Sequence, residues 1–526
     1  MNEKIQYVFK TYLPGTLLLM LICFPLFKDL GTQSLRMWDE SRLAINAYEM
    51  YHNHRWLTTH YGEIPDLWNT KPPFMIWMQV ISMKLFGINE FAIRFPSAFA
   101  ALLIVMTLLF FLAKKFNNLV LFSIMSMILV TSRGFVGHHV TRTGDYDSLL
   151  ILFTSLFTIC FFIFTGNKRT IYLYLTFLFI SFAVLTKSIV GLIFLPGIFL
   201  YVIYKRQLMS LLKNLHFYIG ILMCILIVGG FYFLREWQNP GYLKAVYVNE
   251  LGGRYLDAKE LHRHGILFYY YQIFEQFTPW YILAGAGALM GIFSKEDKIR
   301  DFTFLNLFIV IVFLTVISTA ETKLIWYIAP LFPSFAFFAS IPLFYLYKEL
   351  TSRIDIIEGF WNKYIPILVL ILVFIIPYIK IFSSFETTRE QAENQSYYYL
   401  SDYLRTQGNR IPDHTVIVYD ANTLSHVQFY MNKLQEEGKN ISLYTFPAFD
   451  SCNSVLVGQN FFHDIISNYF NHEIIEDQGM VKRYKISGRY KKGIPYKVEF
   501  KEEFSSIHVY EYKSTSTEQF PGSKAF

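Results

Sequence analysis

The sequence predicts a polytopic α-helical membrane protein with a soluble α/β domain towards its C-terminal end. Hydrophobic residues make up 53% of the 526 residues and charged residues only 17%, whereas a soluble domain carries about a quarter charged residues. The apolar residues occur in runs of nearly membrane-spanning length, not at amphipathic spacing. After about residue 382 the polarity rises, and short β-type runs alternate with helix-like stretches.

The apolar runs predict about eleven membrane spans, and up to thirteen. They are residues 12–30, 95–113, 118–134, 148–165, 171–186, 188–204, 216–234, 277–293, 302–318, 325–347 and 364–381. A turn near Lys187 is expected between the fifth and sixth spans, and Pro342 lies inside the tenth. We therefore expect a transmembrane domain over residues 1–382 and a soluble domain over 383–526.

The distribution of Lys and Arg predicts the orientation. Basic pairs such as Lys114-Lys115, Lys168-Arg169 and Lys205-Arg206 follow the second, fourth and sixth spans, which places these loops in the cytoplasm. Loops 31–94, 135–147, 235–276 and 319–324 then face the other side, together with the soluble domain. The formal charge of +7 mostly reflects the basic residues of the cytoplasmic loops, and it does not indicate binding to nucleic acid.

The soluble domain and the cysteines carry no catalytic signature. We expect strands in the soluble domain at 415–419, 441–446, 454–457, 481–486, 496–500 and 507–512, and helices near 386–407, 422–434 and 461–470. Of the four cysteines, three fall inside spans, so no disulfide framework and no Cys-based metal site is available. Span one has no small-x-small cleavage site and is expected to stay as an anchor.

The first outer loop holds two adjacent carboxylates, Asp39 and Glu40, followed by Arg42. On their own they are also explained as a helix start, because acidic residues favour the first turn. Residues 41–50 then predict a short helix along the membrane face, whose apolar side is formed by Leu43, Ala44, Ala47, Tyr48 and Met50. Further on, Lys71 lies just at the start of a second membrane-surface helix, whose apolar stretch is 75–86. It is either a phosphate contact or an interfacial lysine that extends towards water.

The other loops add carboxylates and cations near the ends of spans. Asp147 abuts span four, where it either lines a cavity or caps the helix; Asp145 precedes it. His138 and His139 are adjacent and lack a third ligand at clear spacing, so they are weak metal candidates. The third and fourth loops contribute further residues: Glu250, Arg254, His262, His264, Lys323 and Tyr327. Lys323 and Tyr327 are four residues apart and are expected to share one face.

These loop residues are predicted to converge on one membrane face, while the spans are almost free of charge. A transporter more often places its essential charges near the middle of the membrane. The pattern therefore favours surface chemistry on a lipid-anchored anion.

Four motifs resemble one group of enzymes. They are Trp38-Asp39-Glu40-Ser41-Arg42, Lys71-Pro72-Pro73, the stretch 86–98, and Lys323-Leu324-x-Trp326-Tyr327 with Pro330 and Pro333. In order and spacing over most of residues 30–335, they are similar to GT-C glycosyltransferases of the protein O-mannosyltransferase and aminoarabinose (lipid A) transferase type. The resemblance implies inverting transfer of a hexose or pentose from a polyprenyl-phosphate donor to an acceptor hydroxyl or phosphate.

The resemblance also assigns roles to residues. It implies Asp39, Glu40 and Asp147 as catalytic, with Asp145 as the alternative register to Asp147. Lys71, Arg254, Arg42, Lys323 and Tyr327 are then donor or phosphate contacts, and Glu250 and His264 are further candidates. A divalent metal ion, with Asp147 as a ligand, stays open. The family's acidic ligand before the lysine is replaced here by Thr70, and its third-loop histidine by Leu251.

Two other functions remain as alternatives. One is a polyprenyl-lipid flippase or transporter without transfer activity, which would need polar residues along a path through the spans. The other is a catalytically silent binding protein that uses the soluble domain. For the enzyme, the expected partners are membrane lipids, the polyprenyl-phosphate sugar and a protein, glycolipid or lipid A acceptor. The expected location is the bacterial inner membrane, with the site on the periplasmic side.

Overall fold

The computed structural model of the chain describes residues 3–137, 139–252, 263–354, 364–386, 395–489, 496–504 and 507–514. The chain forms two compact units. The first comprises Met1–Leu30, Leu67–Met78 and Arg94–Glu386, and the second comprises Gly31–Asp66, Gln79–Ile93 and Thr387–Phe526. The predicted domain boundary at 382/383 lies near the last of these divisions. The structure also assigns most of loop 31–94 to the second unit.

The first unit confirms the predicted fold class of a polytopic helical membrane protein. Among the described residues, 7 helices are long and apolar enough to cross a membrane, and five shorter apolar helices accompany them. Each of the eleven predicted spans coincides with one of these twelve helices. The twelfth, Phe74–Phe86, was predicted as a surface helix.

The helices that lie wholly or partly in the first unit are mostly uninterrupted, and the division between the units falls within Phe74–Phe86 and Glu90–Met106. They are Glu3–Phe27, Phe74–Phe86, Glu90–Met106, Ala113–Phe116, Leu119–Val130, Arg133–Val136, Asp147–Asn167, Thr170–Lys187, Leu195–Tyr204, Leu208–Leu212, Leu215–Cys224, Gly230–Gln238, Tyr242–Val246, Phe268–Phe277, Tyr281–Ile292, Asp297–Thr319, Phe332–Ile354 and Ile365–Glu386. π-Helical segments occur at Thr107–Leu112, Ile225–Gly229 and Tyr247–Gly252, and 3₁₀ segments at Ser188–Leu192 and Ile325–Leu331.

The helical backbone breaks near Lys187 but not at Pro342. The fifth span ends at Lys187, and a 3₁₀ turn separates it from the sixth. By contrast, the helix Phe332–Ile354 continues through Pro342. This helix packs closely against Tyr281–Ile292, because a Cβ at Gly287 would lie 1.8 Å from the carbonyl oxygen of Phe338. Small residues allow such close approach between apolar helices.

The second unit contains a seven-stranded mixed sheet. In spatial order its strands are Phe470–Gln478, Val481–Arg489, Cys452–Val457, Thr415–Val418, Ile441–Tyr444, Ile507–Ser514 and Tyr496–Phe504. The middle strands run parallel, and an antiparallel hairpin closes each edge. The helices are Gln395–Gln407, Ser425–Glu436 and Asn460–Tyr469. The six predicted strands are present. Phe470–Gln478 was missed because this mostly exposed edge strand is polar.

The first loop folds as part of this second unit. Its helix Asp39–Asn53 has acidic residues in the first turn and ends at His54, which has a left-handed φ of 55°. Leu43, Ala44 and Ala47 are buried, and the helix packs against Ser425–Glu436. Protein therefore covers most of the predicted apolar side of this helix. A short hairpin, His60–Tyr61 with Ile64–Pro65, follows the helix.

Candidate active site

Asp145 is held in a buried pair in the first unit. His139 Nδ1 lies 2.7 Å from Asp145 Oδ2, and the His139 ring stacks on Trp326 with centroids 3.5 Å apart. Burial raises the pKa of the Asp145 carboxyl. The hydrogen bond and charge of His139, the charge of Lys187 and the N–H of Tyr146 outweigh burial and lower this pKa to about 2. Asp145 is therefore a fixed anion at neutral pH.

Asp147 is also paired, and its partner is Lys187. Asp147 is the first residue of Asp147–Asn167, and Lys187 is the last residue of Thr170–Lys187. The Lys187 ammonium donates to both carboxylate oxygens, at 2.6 and 2.7 Å. The exposed fractions of the two side chains are 8% for Lys187 and 1% for Asp147. The ammonium also lies 5.7 Å from the ring centroid of Tyr327, so Tyr327 joins this pair.

Lys71 and Glu250 come together from loops one and three. The Lys71 ammonium lies 3.7 Å from the Glu250 carboxylate, and the Thr70 hydroxyl donates to the same carboxylate at 3.3 Å. Because 3.7 Å is too long for a good hydrogen bond, Lys71 is held less tightly than Lys187. Lys71 thus keeps N–H donors for an anionic group.

Tyr146 connects the two carboxylates of the second loop with Lys71. Its hydroxyl lies 2.9 Å from Nδ2 and 3.1 Å from Oδ1 of Asn69. The Lys71 ammonium lies 5.4 Å from its ring centroid. Tyr242 adds a further tie, since its hydroxyl donates to the carbonyl oxygen of Thr70 at 2.8 Å. The backbone that carries Lys71 is therefore fixed from two sides.

Lys323 and His264 make their described contacts with other residues. The Lys323 ammonium is buried and donates to the carbonyl of Ala320, next to the end of helix Asp297–Thr319. The predicted shared face with Tyr327 is wrong, because the 3₁₀ helix begins only at Ile325. His264 is exposed and stacks on Phe268 with centroids 4.2 Å apart.

Asp39 and Glu40 have different surroundings in the second unit. Glu40 is buried, and its carboxylate accepts the backbone N–H of Arg36 at 2.8 Å. Asp39 is half-buried, and its side chain makes no hydrogen bond or ion pair with another described residue. Trp38 precedes them with a φ of 64°, an uncommon conformation for a residue with a side chain and one that often marks functional loops. Asp39 is therefore the more available carboxylate of the two.

Arg42 supports the fold of the first loop. Its Nε and Nη2 donate to the two oxygens of Asp66 at 3.3 and 3.0 Å. Its guanidinium lies 4.1 Å from the ring centroid of Tyr61. Asn46 also donates to Asp66, at 3.1 Å. This bidentate pair ties the helix to the hairpin that follows, so the role of Arg42 in phosphate binding stays a prediction.

Several predicted residues lie outside the described part of the chain. They are Arg254, His138 and His262; the side chain of Leu251 is also not described. Their roles stay predictions.

The described residues of the first unit do not fit a metal site of the family's design. Both oxygens of Asp147 are taken by Lys187. Thr70 has a hydroxyl in place of a carboxylate, and the nearby Glu250 faces the Lys71 ammonium. A cation next to the carboxylate opposes metal binding.

Sequence reasoning missed two partners, Lys187 and Asn69. One signal pointed to Lys187: in the predicted topology it ends the fifth span on the non-cytoplasmic side, against the usual distribution of basic residues. No local pattern pointed to Asn69, because its partner Tyr146 is 77 residues away.

The described residues define a multi-pass helical membrane protein with a second unit built on a mixed sheet. A family model for dolichyl-phosphate-mannose-protein mannosyltransferases matches residues 70–232. The crystal structure of ArnT from Cupriavidus metallidurans bound to undecaprenyl phosphate superposes with a TM-score of 0.69 at 14% identity, covering 90% of this chain and 98% of that one. The predicted resemblance to this group is confirmed.

Two sequence relatives extend the comparison. An uncharacterized protein of Aquifex aeolicus is 28% identical over 317 residues, which are 59% of this chain and 60% of the relative. The undecaprenyl phosphate-alpha-4-amino-4-deoxy-L-arabinose arabinosyl transferase of Shewanella sediminis is 27% identical over 311 residues, 57% of this chain and 54% of the relative. These matches span less than two thirds of either relative.

Proposed function

We propose that the chain is an inverting glycosyltransferase that moves a sugar from a polyprenyl-phosphate donor to an acceptor. The observation that carries this proposal is the availability of two groups. Asp39 is a half-buried carboxylate without a described partner, and Lys71 is a cation held only loosely by Glu250. Inverting transfer requires a base for the acceptor proton and positive charge for the departing phosphate. The named relatives and the ArnT complex support the same donor class.

Each group has a distinct role in this reaction. Asp39 accepts the proton of the acceptor hydroxyl, and Glu40 holds the loop before the helix. Lys71 stabilises the phosphate that leaves with the lipid, and Arg254 is the predicted second phosphate contact. The pairs Asp145–His139 and Asp147–Lys187 fix the second loop around Tyr146. Tyr327 contributes to the donor side through its contact with Lys187.

The finer assignments follow from the same proposal. The protein spans the bacterial inner membrane many times, and its site and soluble domain face the periplasm. The acceptor is a protein hydroxyl, a glycolipid or lipid A. The charges that the structure describes near helix ends, such as Asp147, Lys187 and Lys71, favour surface chemistry over a path through the membrane.

Sugar transfer by the purified full-length protein tests the proposal. Radiolabelled hexosyl and pentosyl polyprenyl phosphates are supplied in detergent to the wild type, to Asp39→Asn and to the control Asp464→Asn, which alters an exposed carboxylate of the second unit. We expect transfer from one donor, a loss of about 10²–10⁴-fold in Asp39→Asn and no loss in the control.

Two results would contradict the proposal in different ways. Absence of turnover with every donor, together with movement of labelled lipid across reconstituted vesicles, would favour the flippase. Full activity of Asp39→Asn would keep the enzyme but assign the base to another carboxylate.

A further inference from the structure

A partly open cavity with mixed polar and apolar lining lies within the second unit. It has a volume of about 530 Å³ and is bordered by the second half of helix Asp39–Asn53, by the hairpin turn at Gly62 and by helix Ser425–Glu436. Sites for small ligands occupy roughly 300–1,000 Å³. Like most such sites, the cavity has much apolar lining, and its polar groups are carboxamides, carboxylates and the side chains of His52 and Arg55.

The cavity is separate from Asp39. Tyr48 and Glu49 in its wall follow Asp39 on the same helix by nine and ten residues. At a rise of 1.5 Å per residue this is about 14–15 Å along the axis. A ligand of this cavity therefore contacts a different end of the helix from the proposed base.

A row of carboxamides on the opposite helix faces the cavity. Gln428, Asn432 and Gln435 line it and occur at positions i, i+4 and i+7 of helix Ser425–Glu436, which places them on one side of that helix. Gln428 is 3% exposed, and its amide oxygen has no hydrogen-bond partner among the described residues. Asn432 is half-buried and likewise makes no side-chain hydrogen bond to a described residue. Buried amides are nearly always hydrogen-bonded, so the carboxamide of Gln428, which lines the cavity, keeps hydrogen-bonding capacity at this wall.

The charges of the wall disfavour an anion. Glu49 accepts the backbone N–H groups of Gly62 and Glu63 at 2.7 and 3.0 Å. Burial, with the nearby charges of Glu63 and Asp66, raises the pKa of Glu49 to about 7 despite these bonds. The cationic Arg55 contacts His60 at 3.1 Å, and His52 pairs with Glu436 at 2.8 Å. With Glu49 and Glu63 against one arginine, the wall has no excess of positive charge for an anion, and its neutral amides favour an uncharged ligand.

We propose that this cavity binds an uncharged saccharide of one or two rings. Each sugar hydroxyl both donates and accepts a hydrogen bond, and a carboxamide offers the matching acceptor and donor. Gln428 and Asn432 contact the hydroxyls, and Glu49 adds an oxygen. The proposal does not rest on the transfer reaction, because binding is measured without a donor lipid.

Ligand binding to the full-length protein tests this inference. The protein is kept in a detergent without a sugar headgroup, and saturation-transfer NMR titrations use maltose, diacetylchitobiose and the anionic glucose 6-phosphate. We expect saturable binding of at least one uncharged disaccharide. The Kd should rise by about five- to tenfold in Asn432→Ala, the loss for one hydrogen bond.

Two further variants separate binding from folding. Gln428→Met removes a buried oxygen that has no described partner, so its unfolding midpoint should equal or exceed that of the wild type while saccharide binding weakens. Asn468→Ala, an exposed asparagine on Asn460–Tyr469, should bind as the wild type does. Unchanged affinity in Gln428→Met and Asn432→Ala would overturn the proposal. So would no saturable binding of either disaccharide, or tighter binding of glucose 6-phosphate.

Discussion

Asp147 in the first unit and Asp39 in the second unit both occupy the first position of a helix, yet their surroundings differ. Asp147 is 1% exposed, and Lys187 donates to both of its oxygens. Asp39 is half-buried, and its side chain has no hydrogen bond or ion pair within the described residues. Both carboxylates gain from the positive end of a helix dipole. The difference therefore comes from the partner, which Asp147 has and Asp39 lacks.

The comparison separates structural from reactive carboxylates. A buried pair is strongly destabilised when one partner is removed, because the other charge stays buried without compensation. A half-exposed carboxylate without a partner adds little to stability but is free to take a proton from a substrate. The same residue type at the same helix position thus serves the fold in one unit and the proposed chemistry in the other.

The largest effect is expected for Lys187→Met, which leaves the Asp147 carboxylate buried and unpaired. We expect the free energy of unfolding to fall by about 3–5 kcal/mol. The double variant Asp147→Leu/Lys187→Met should recover most of this loss, because both charges are gone. Unfolding by SDS titration with tryptophan fluorescence measures both values. If Lys187→Met were as stable as the wild type, the Asp147–Lys187 pair would not have the structural role assigned to it.

Lys71→Met extends the comparison to the two lysines, of which Lys187 is tightly paired and Lys71 is loosely held. Because Lys71 keeps N–H donors for an anion, its removal should cost about 1.5–3 kcal/mol of binding to the donor phosphate. This corresponds to a rise of about ten- to hundredfold in KM for the donor. The control is Lys84→Met, an exposed lysine near the other end of the helix Phe74–Phe86. An equal rise in KM in the control would contradict the assignment.

His139→Phe tests the second buried pair through its pH dependence. Phe keeps a ring against Trp326 but cannot hydrogen-bond to Asp145. In the wild type the pKa of Asp145 is lowered to about 2, so its stabilisation is present above about pH 4 and is lost as the pH falls through 2. The variant should be less stable by about 2 kcal/mol at pH 7. In SDS titrations at pH 7, 4 and 2.5, this gap should narrow with falling pH. A constant gap would contradict the pairing.

Glu49→Gln should have the smallest effect. The pKa of Glu49 is raised to about 7, so the folded state keeps the proton to a higher pH than the unfolded state. Wild-type stability therefore falls as the pH rises from about 4.5 to 7, and a residue that cannot ionise avoids this loss. The variant should gain about 1 kcal/mol relative to the wild type between pH 5 and pH 6. Thermal unfolding at both pH values measures the gain, and a relative loss would contradict it.

Local features of the fold were predictable from the sequence. The spans follow from the length of apolar runs, and six strands of the second unit follow from β-rich segments between turns. The strand Phe470–Gln478 has no apolar alternation, since it lies at an exposed edge. The apolar side of the first-loop helix was recognised, but the protein surface that covers it lies almost 400 residues further along the chain.

The site shows the same limit. Asp39, Lys71 and Asp147 were recognisable because rare charged residues stand next to apolar runs. Their partners were not, since Lys187 is 40 residues from Asp147 and Asp66 is 24 residues from Arg42. Burial turned Asp147 and Arg42 into members of ion pairs, and sequence spacing carries no record of such distant contacts.

A side-by-side comparison of Asp39→Asn and Asp147→Asn tests the account most directly. For each variant, sugar transfer and the free energy of unfolding are measured on the same preparation. The account predicts that Asp39→Asn loses transfer by about 10²-fold or more while its stability stays within about 0.5 kcal/mol of the wild type. Asp147→Asn should instead lose stability. Unfolding of Asp39→Asn, or a fully stable Asp147→Asn with transfer lost, would contradict it.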